Sequence, residues 1–304
     1  MDQLDLFRDA PRYYITAVER LGRLDWEGVE QALDAHARVF PRGPDPEPVR
    51  RAARWLRDAV PPLEVPRRGA DALQVCRTLL EGRVPDAFLR EKPDLRRRVA
   101  RTVASLFLRS ARAAGIPLSE PLGQGLPWGV FGLWTGRVDE ARVALEGAVR
   151  GDPGAGLAWL ALGDALTLQG SAPAARAAYR EGFGLLPCED GWPLADPLVV
   201  RARDELRTEA VWSGSWWAVG AYEEGVFPRY ARLTPQEIQA RGERFFRLCR
   251  EGRHPEAFFQ GLAISERSAS VGVDLCATVR RKMRSMNPQV FSLHMERIRR
   301  GDAS

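Results

Sequence analysis

The sequence predicts an all-α fold of helical hairpins packed in series, and three observations carry that expectation. Small and large landmarks recur 34 residues apart: Gly129 and Gly163, Gly136 and Gly170, Ala141 and Ala175, Leu145 and Tyr179, Pro153 and Pro187. One turn sequence occurs twice, as Glu81-Gly82-Arg83-Val84-Pro85-Asp86-Ala87-Phe88 and as Glu251-Gly252-Arg253-His254-Pro255-Glu256-Ala257-Phe258. Between such turns the apolar residues fall at helical spacing, as in Val99, Val103, Leu106 and Phe107.

The stretch 122–189 resembles two tetratricopeptide repeats, whose period is about 34 residues. The second unit has Trp159, Leu162, Gly163, Ala175, Tyr179 and Pro187 where that family places Trp, Leu, Gly, Ala, an aromatic and Pro. Small Gly163 and Ala175 allow close approach of paired helices, Tyr179 fills the space between them, and Pro187 stops the second helix. The resemblance implies a right-handed α-α superhelix of antiparallel helix pairs. It also implies a protein partner in a concave groove lined by the first helix of each unit, here Val130, Leu133 and Trp134, then Asp164 and Thr167. Family members that hold a peptide's C-terminal carboxylate use Lys and Asn on these helices. Leu160 and Asp164 stand there instead, which points to a more apolar partner.

Four segments follow: a flexible peptide over 1–10, degenerate hairpins over 11–121, the two repeats over 122–189, and a helical region with a basic tail over 190–304. Pro11 to Phe40 reads as a first hairpin, with Tyr14, Val18 and Leu21 facing Trp26, Val29, Leu33 and Phe40 and with Gly22 ending the first helix. Glu47–Val60 is a helix with Arg50, Arg51, Arg54 and Arg57 along one solvated side. Gly69–Arg90 is another hairpin, with apolar Leu73, Val75, Cys76, Leu79 and Leu80. In both copies of the recurring turn, Gly caps one helix and Pro opens the next with an acid in its first turn.

Pro93–Gly115 is a longer helix that starts with Arg96, Arg97, Arg98 and Arg101, where the helix dipole disfavours cations. That placement fits a basic surface or a local carboxylate partner. Gly123-Gln124-Gly125 has no Gly-Lys-Ser/Thr after it and reads as a connector. A helix runs from Asp196 towards Trp212. Trp212 and Trp216 are one turn apart beside Trp217 and admit two readings, core or the lining of a ligand cleft. Thr234-Pro235-Gln236-Glu237 predicts a capping box and Asn287-Pro288 the start of the last helix. The tail carries Arg280, Arg281, Lys282, Arg284, Arg297, Arg299 and Arg300, expected as a solvated cap or a nucleic-acid contact.

Gln3-Leu4-Asp5-Leu6-Phe7 resembles the Gln-Leu-Ser/Asp-Leu-Phe peptide by which bacterial replication and repair proteins dock on the β sliding clamp. The resemblance implies Leu6 and Phe7 in an apolar pocket and Gln3 hydrogen-bonded to backbone. The alternative is that Leu4, Leu6 and Phe7 staple the first helix to the body of the protein.

At 304 residues, with a formal charge of +5 and a pI near 9.3, the chain has 45% hydrophobic and 28% charged residues. Only Lys92 and Lys282 are lysines, so the charge excess follows an arginine-rich composition. Weak binding of nucleic acid or none is expected. No run of about 18 apolar residues occurs, and no membrane contact is expected. The four cysteines, Cys76, Cys188, Cys249 and Cys276, form no close pair, and the acidic N-terminus is not a signal peptide. The expected location is the cytoplasm. His36, His254 and His294 show no ligand spacing, and no Gly-x-Ser-x-Gly or Walker sequence is present. The sequence therefore predicts a non-enzymatic scaffold without metal or cofactor, or alternatively a DNA-associated factor tethered to the clamp.

Overall fold

A computed structural model describes residues 3–60, 68–123, 125–186, 192–230, 233–266 and 273–300, with side chains described from residue 12 onward. Among these residues the fold is all-α, with sixteen α-helices and one two-stranded ribbon. No described helix is long and apolar enough to cross a membrane. The chain divides into two compact units, residues 1–145 with 191–193, and residues 146–190 with 194–304.

In the first unit, α1 (Gln3–Leu21) pairs with α2 (Trp26–Val39), burying Leu21, Val29 and Leu33. The α1 helix runs through Pro11, so the backbone of Gln3 to Phe7 is helical and continuous with the hairpin. An extended peptide set apart by Pro11 is not what this structure has. Proline has no N–H, so the Phe7 carbonyl lacks the helical donor that residue 11 would otherwise supply. The α3 helix (Glu47–Ala59) packs on α2, and part of its arginine stripe is ion-paired: Arg50 meets Glu30 and Asp34, and Arg54 meets Glu47.

The second hairpin differs from expectation. The α4 helix (Gly69–Glu81) packs on α6 (Pro93–Ala113), because α5 (Ala87–Arg90) is a single turn. Asp86, not Pro85, opens α5, its Oδ1 accepting from the Leu89 N–H at 2.9 Å. Arg96 at the start of α6 donates to the carbonyls of Leu89 and Arg90 and caps α5. Of the cations at this helix start, Arg96 thus has backbone partners, while Arg97 pairs with the local carboxylate of Asp94 at 3.4 Å. The stretch around Gly123 and Gly125 forms the antiparallel ribbon of β1 (Pro121–Gly123) and β2 (Leu126–Pro127).

The α7 helix (Val130–Thr135) leads into α8 (Val138–Gly151), and α9 (Gly156–Leu168) into α10 (Ala172–Leu185). The turns of these two hairpins match bond for bond at an offset of 34. Gly136 N–H donates to Leu133 O and Arg137 N–H to Gly132 O; Gly170 N–H donates to Thr167 O and Ser171 N–H to Leu166 O. Both glycines take left-handed φ, 81° and 77°, as this helix stop requires. Gly82 and Gly252 end α4 and α13 (Pro235–Arg250) in the same way, at φ 73° and 71°. At Gly252 the expected sequence holds in full, with Pro255 and Glu256 in the first turn of α14 (His254–Ser265). Pro187 and Cys188 lie outside the described residues.

The rest of the second unit holds α11 (Pro197–Leu206), α12 (Trp217–Glu223), α15 (Val273–Met286) and α16 (Pro288–Arg299). The α11 helix ends well short of Trp212. Trp212 and Trp216 belong to separate 3-10 turns, split at Ser213 and Gly214, so they share no helical face. Trp212 and Trp217 are core residues, Trp212 against Gly220 and Trp217 edge-on to Phe183 at 4.6 Å, while half-buried Trp216 packs on Phe258 at 5.4 Å. Thr234 forms the expected capping box with Glu237, and Asn287 caps α16.

A Cβ placed on Gly163 would lie 2.5 Å from the Tyr179 ring, and Ala175 is fully buried. Gly163→Leu and Ala175→Leu are each expected to lower stability by about 1–3 kcal/mol through overpacking. Chemical denaturation checks this; two unchanged midpoints would contradict the packing of α9 on α10.

Candidate functional site

The residues expected to line a groove are mostly internal. Val130 and Leu133 are 0% and 8% exposed, because α7 is a short apolar helix packed on α6. Asp164 is 5% exposed and turned inward: its Oδ1 accepts from Tyr179 Oη at 2.5 Å and from the Ala195 N–H at 2.8 Å. Thr167 donates to the Gly163 carbonyl at 2.9 Å. Trp134 is half-buried and stacks edge-on with Phe131. Only Trp134 and Thr167 of the five retain appreciable exposure, so the set does not present a surface.

A cleft does open on the other side of α9, within the second unit, with a volume of about 540 Å³. The α9 helix is apolar nearly all round, so it has a second face to cover beyond the one against α10. Trp159, Leu162 and Leu166 share that face and line the cleft. The small side chains of Ala174, Ala177 and Ala178 on α10 leave its floor low. The Trp159 indole is fixed at one end by donating to the Pro153 carbonyl at 3.1 Å.

The opposite wall is polar and is supplied by Arg180 and Glu181 of α10 and by Glu237, Arg241 and Arg244 of α13. Glu181 accepts from Arg180 at 2.8 Å and from Arg241 at 2.7 Å. Arg241 also donates to Tyr230 Oη at 3.2 Å and to Gln260 at 3.3 Å. Gln260 in turn donates to the Gly184 carbonyl at 2.8 Å. The Tyr230 ring packs against both guanidiniums, 3.8 Å from that of Arg180 and 4.3 Å from that of Arg241. Burial and the Glu181 charge push the Tyr230 phenol up to about 12. These groups hold one another and fix the wall.

A second polar cluster links α12, α14 and α16. Glu266 accepts from Tyr222 Oη at 2.7 Å, Arg297 at 3.0 Å and Arg229 at 3.2 Å. His294 Nδ1 lies 3.0 Å from Glu223 Oε1, and its Nε2 lies 2.6 Å from Ser265 Oγ. Because a carboxylate only accepts, Nδ1 carries a proton towards Glu223, while the Ser265 hydroxyl also donates to the Leu262 carbonyl at 3.0 Å. A glutamate, a histidine and a serine thus sit in contact in the spatial order of a hydrolytic triad, drawn from residues 42 or fewer positions from Ser265. Ser265 and His294 are 0% exposed, however, so a substrate would reach the hydroxyl only if the helices around it parted. In the folded protein the cluster joins helices. It also takes up two cations of the basic tail: Arg297 also pairs with Glu223, and Arg280 donates to the Ser265 carbonyl.

Sequence reasoning used Trp159 and Leu162 only as repeat landmarks and did not single out Leu166, Arg241 or Arg244. The all-apolar circumference of α9 was the available signal. Comparison with protein-family models, with curated proteins and with solved structures returns no match.

Burial raises the phenols of Tyr179 and Tyr222 above their ordinary 10.0, each reinforced by the carboxylate it bonds, and raises Tyr230 as well. These side chains are held neutral in the folded state and ionise more readily once unfolded. Their contribution is therefore fully present below about pH 10 and is lost as the pH rises through the alkaline range. Stability is expected to fall by up to about 1.4 kcal/mol per pH unit for each tyrosine above about pH 10. Urea titrations across that range check this, and Tyr179→Phe and Tyr222→Phe are each expected to flatten the slope.

Proposed function

We propose that the protein is a non-enzymatic helical-repeat scaffold, tetratricopeptide-like in construction, that binds another protein through the cleft on α9, α10 and α13. The cleft carries this reading: an apolar floor with a fixed indole at one end and a rigid polar wall matches the usual make-up of a recognition site. The 34-residue register of the two hairpin turns supports the repeat construction. The sealed Ser265 hydroxyl favours binding over catalysis. A photo-crosslinking amino acid introduced at Leu166 is expected to trap a protein partner in cells of the source organism. The same group at exposed Val143 should trap none. Equal adducts at both positions, or adducts at neither, would sink this reading.

The second reading is a factor tethered to the bacterial sliding clamp, with DNA contact through arginine surfaces. Its support is the match of Gln3, Leu4, Asp5, Leu6 and Phe7 at every position of the clamp peptide, together with the missing helical donor at Pro11. That gap weakens α1 between the motif and the hairpin, so the motif can leave the helix at lower cost. On this reading the full chain binds the clamp with a dissociation constant of order micromolar. Changing Leu6 and Phe7 to Ala abolishes binding and leaves the melting temperature unchanged. Retained binding, or a large fall in melting temperature, counts against the tether. The DNA part is the weaker, because Arg50, Arg54, Arg280 and Arg297 already have partners within the protein.

A further inference from the structure

We propose that the cleft on α9, α10 and α13 selects an acidic apolar peptide, with aliphatic or aromatic side chains on the floor and a carboxylate on Arg244. The inference rests on the scaffold reading and names the chemistry of its partner. Three arginines and two glutamates line the cleft, but they are not equally available. Arg180 and Arg241 share Glu181, and each is further held by hydrogen bonds and by the Tyr230 ring. Glu237 is committed to the capping box, accepting from the Thr234 N–H at 2.7 Å and from its hydroxyl at 2.9 Å.

Arg244 is different. It is half-buried and has no hydrogen bond or ion pair with any described residue. The acids it senses are Glu181, already shared by two arginines, and exposed Asp152. Burial lowers its pKa, and the like charges of Arg241 and Arg247 add to the effect. A charge held in a partly dry wall without a counter-ion is stabilised by an incoming carboxylate, and guanidinium suits that anion because it donates two parallel bonds. The remaining lining excludes other classes. A basic peptide would bring like charge to Arg244. A nucleic acid needs several phosphate contacts, whereas this cleft offers one unpaired cation beside two carboxylates and an apolar floor.

The test uses the full chain and three short fluorescein-labelled peptides built on leucine and phenylalanine, with aspartate, asparagine or lysine between them. Fluorescence anisotropy is expected to rank aspartate above asparagine above lysine. Arg244→Gln should weaken the aspartate peptide by about tenfold while leaving the asparagine peptide unchanged. Arg244→Gln should also keep the thermal midpoint, since Arg244 bonds none of the described residues. Ala177→Trp, which fills the floor, should block all three peptides. If asparagine or lysine peptides bind as tightly as aspartate and Ala177→Trp still blocks them, the acidic preference is overturned and the cleft reading stands. If no peptide binds, both fall. If a DNA duplex displaces the aspartate peptide from wild type but not from Arg244→Gln, the site takes phosphates and the peptide assignment is wrong.

Discussion

The close approach of α9 and α10 at Gly163 is the constraint on which the second unit depends. The Tyr179 ring occupies the space a side chain at 163 would need. Its hydroxyl then reaches Asp164, and Asp164 in turn takes the Ala195 N–H. One small residue thus sets the separation of the helices and lets a buried carboxylate find two donors, so that neither polar group is left unpaired at a cost of about 1–3 kcal/mol. The same pairing leaves Trp159, Leu162 and Leu166 facing away from α10's inner side, above its alanines, and so creates the cleft.

The cleft wall is fixed by a different device. Glu181, Arg180, Arg241, Tyr230 and Gln260 form a connected set in which each charge has a partner. Buried ion pairs of this kind add little net stability, since desolvation opposes their attraction, but removing one member leaves a charge uncompensated. They are better understood as fixing where α13 stands against α10 and α14. Around Glu266 and Glu223 the same principle joins α12, α14 and α16, and it explains why a serine, a histidine and a glutamate line up there without forming an accessible site. Arg244 stands apart from the other two arginines of the cleft. It shares the environment of the paired arginines and has no hydrogen-bond or ion-pair partner among the described residues.

Much of the fold was legible because its signals are local. Gly136, Gly170, Gly82 and Gly252 mark helix stops whose hydrogen bonds span only a few residues, and Thr234, Asp196 and Asn287 cap the helices that follow them. The reading failed where a local rule met a tertiary alternative. Pro85 looks like a helix opener, yet Asp86 offers a side-chain cap one residue later. Trp212 and Trp216 have helical spacing, but Gly214 breaks the helix between them. Asp164 sits on the helix that the resemblance places in the groove, and the sequence carries no sign that Tyr179 and Ala195 turn it inward. Arg241 and Arg244 were illegible because α13 meets α10 across about sixty residues of sequence. Nothing in the spacing of either helix records that contact.

Amide hydrogen exchange on the full chain, with and without a saturating aspartate–leucine–phenylalanine peptide, tests most directly whether a partner is held in the cleft. Exchange is expected to slow over 159–166, 174–178 and 237–244, with the rest of the chain unaltered. Protection confined to other segments, or none over those three, would contradict it.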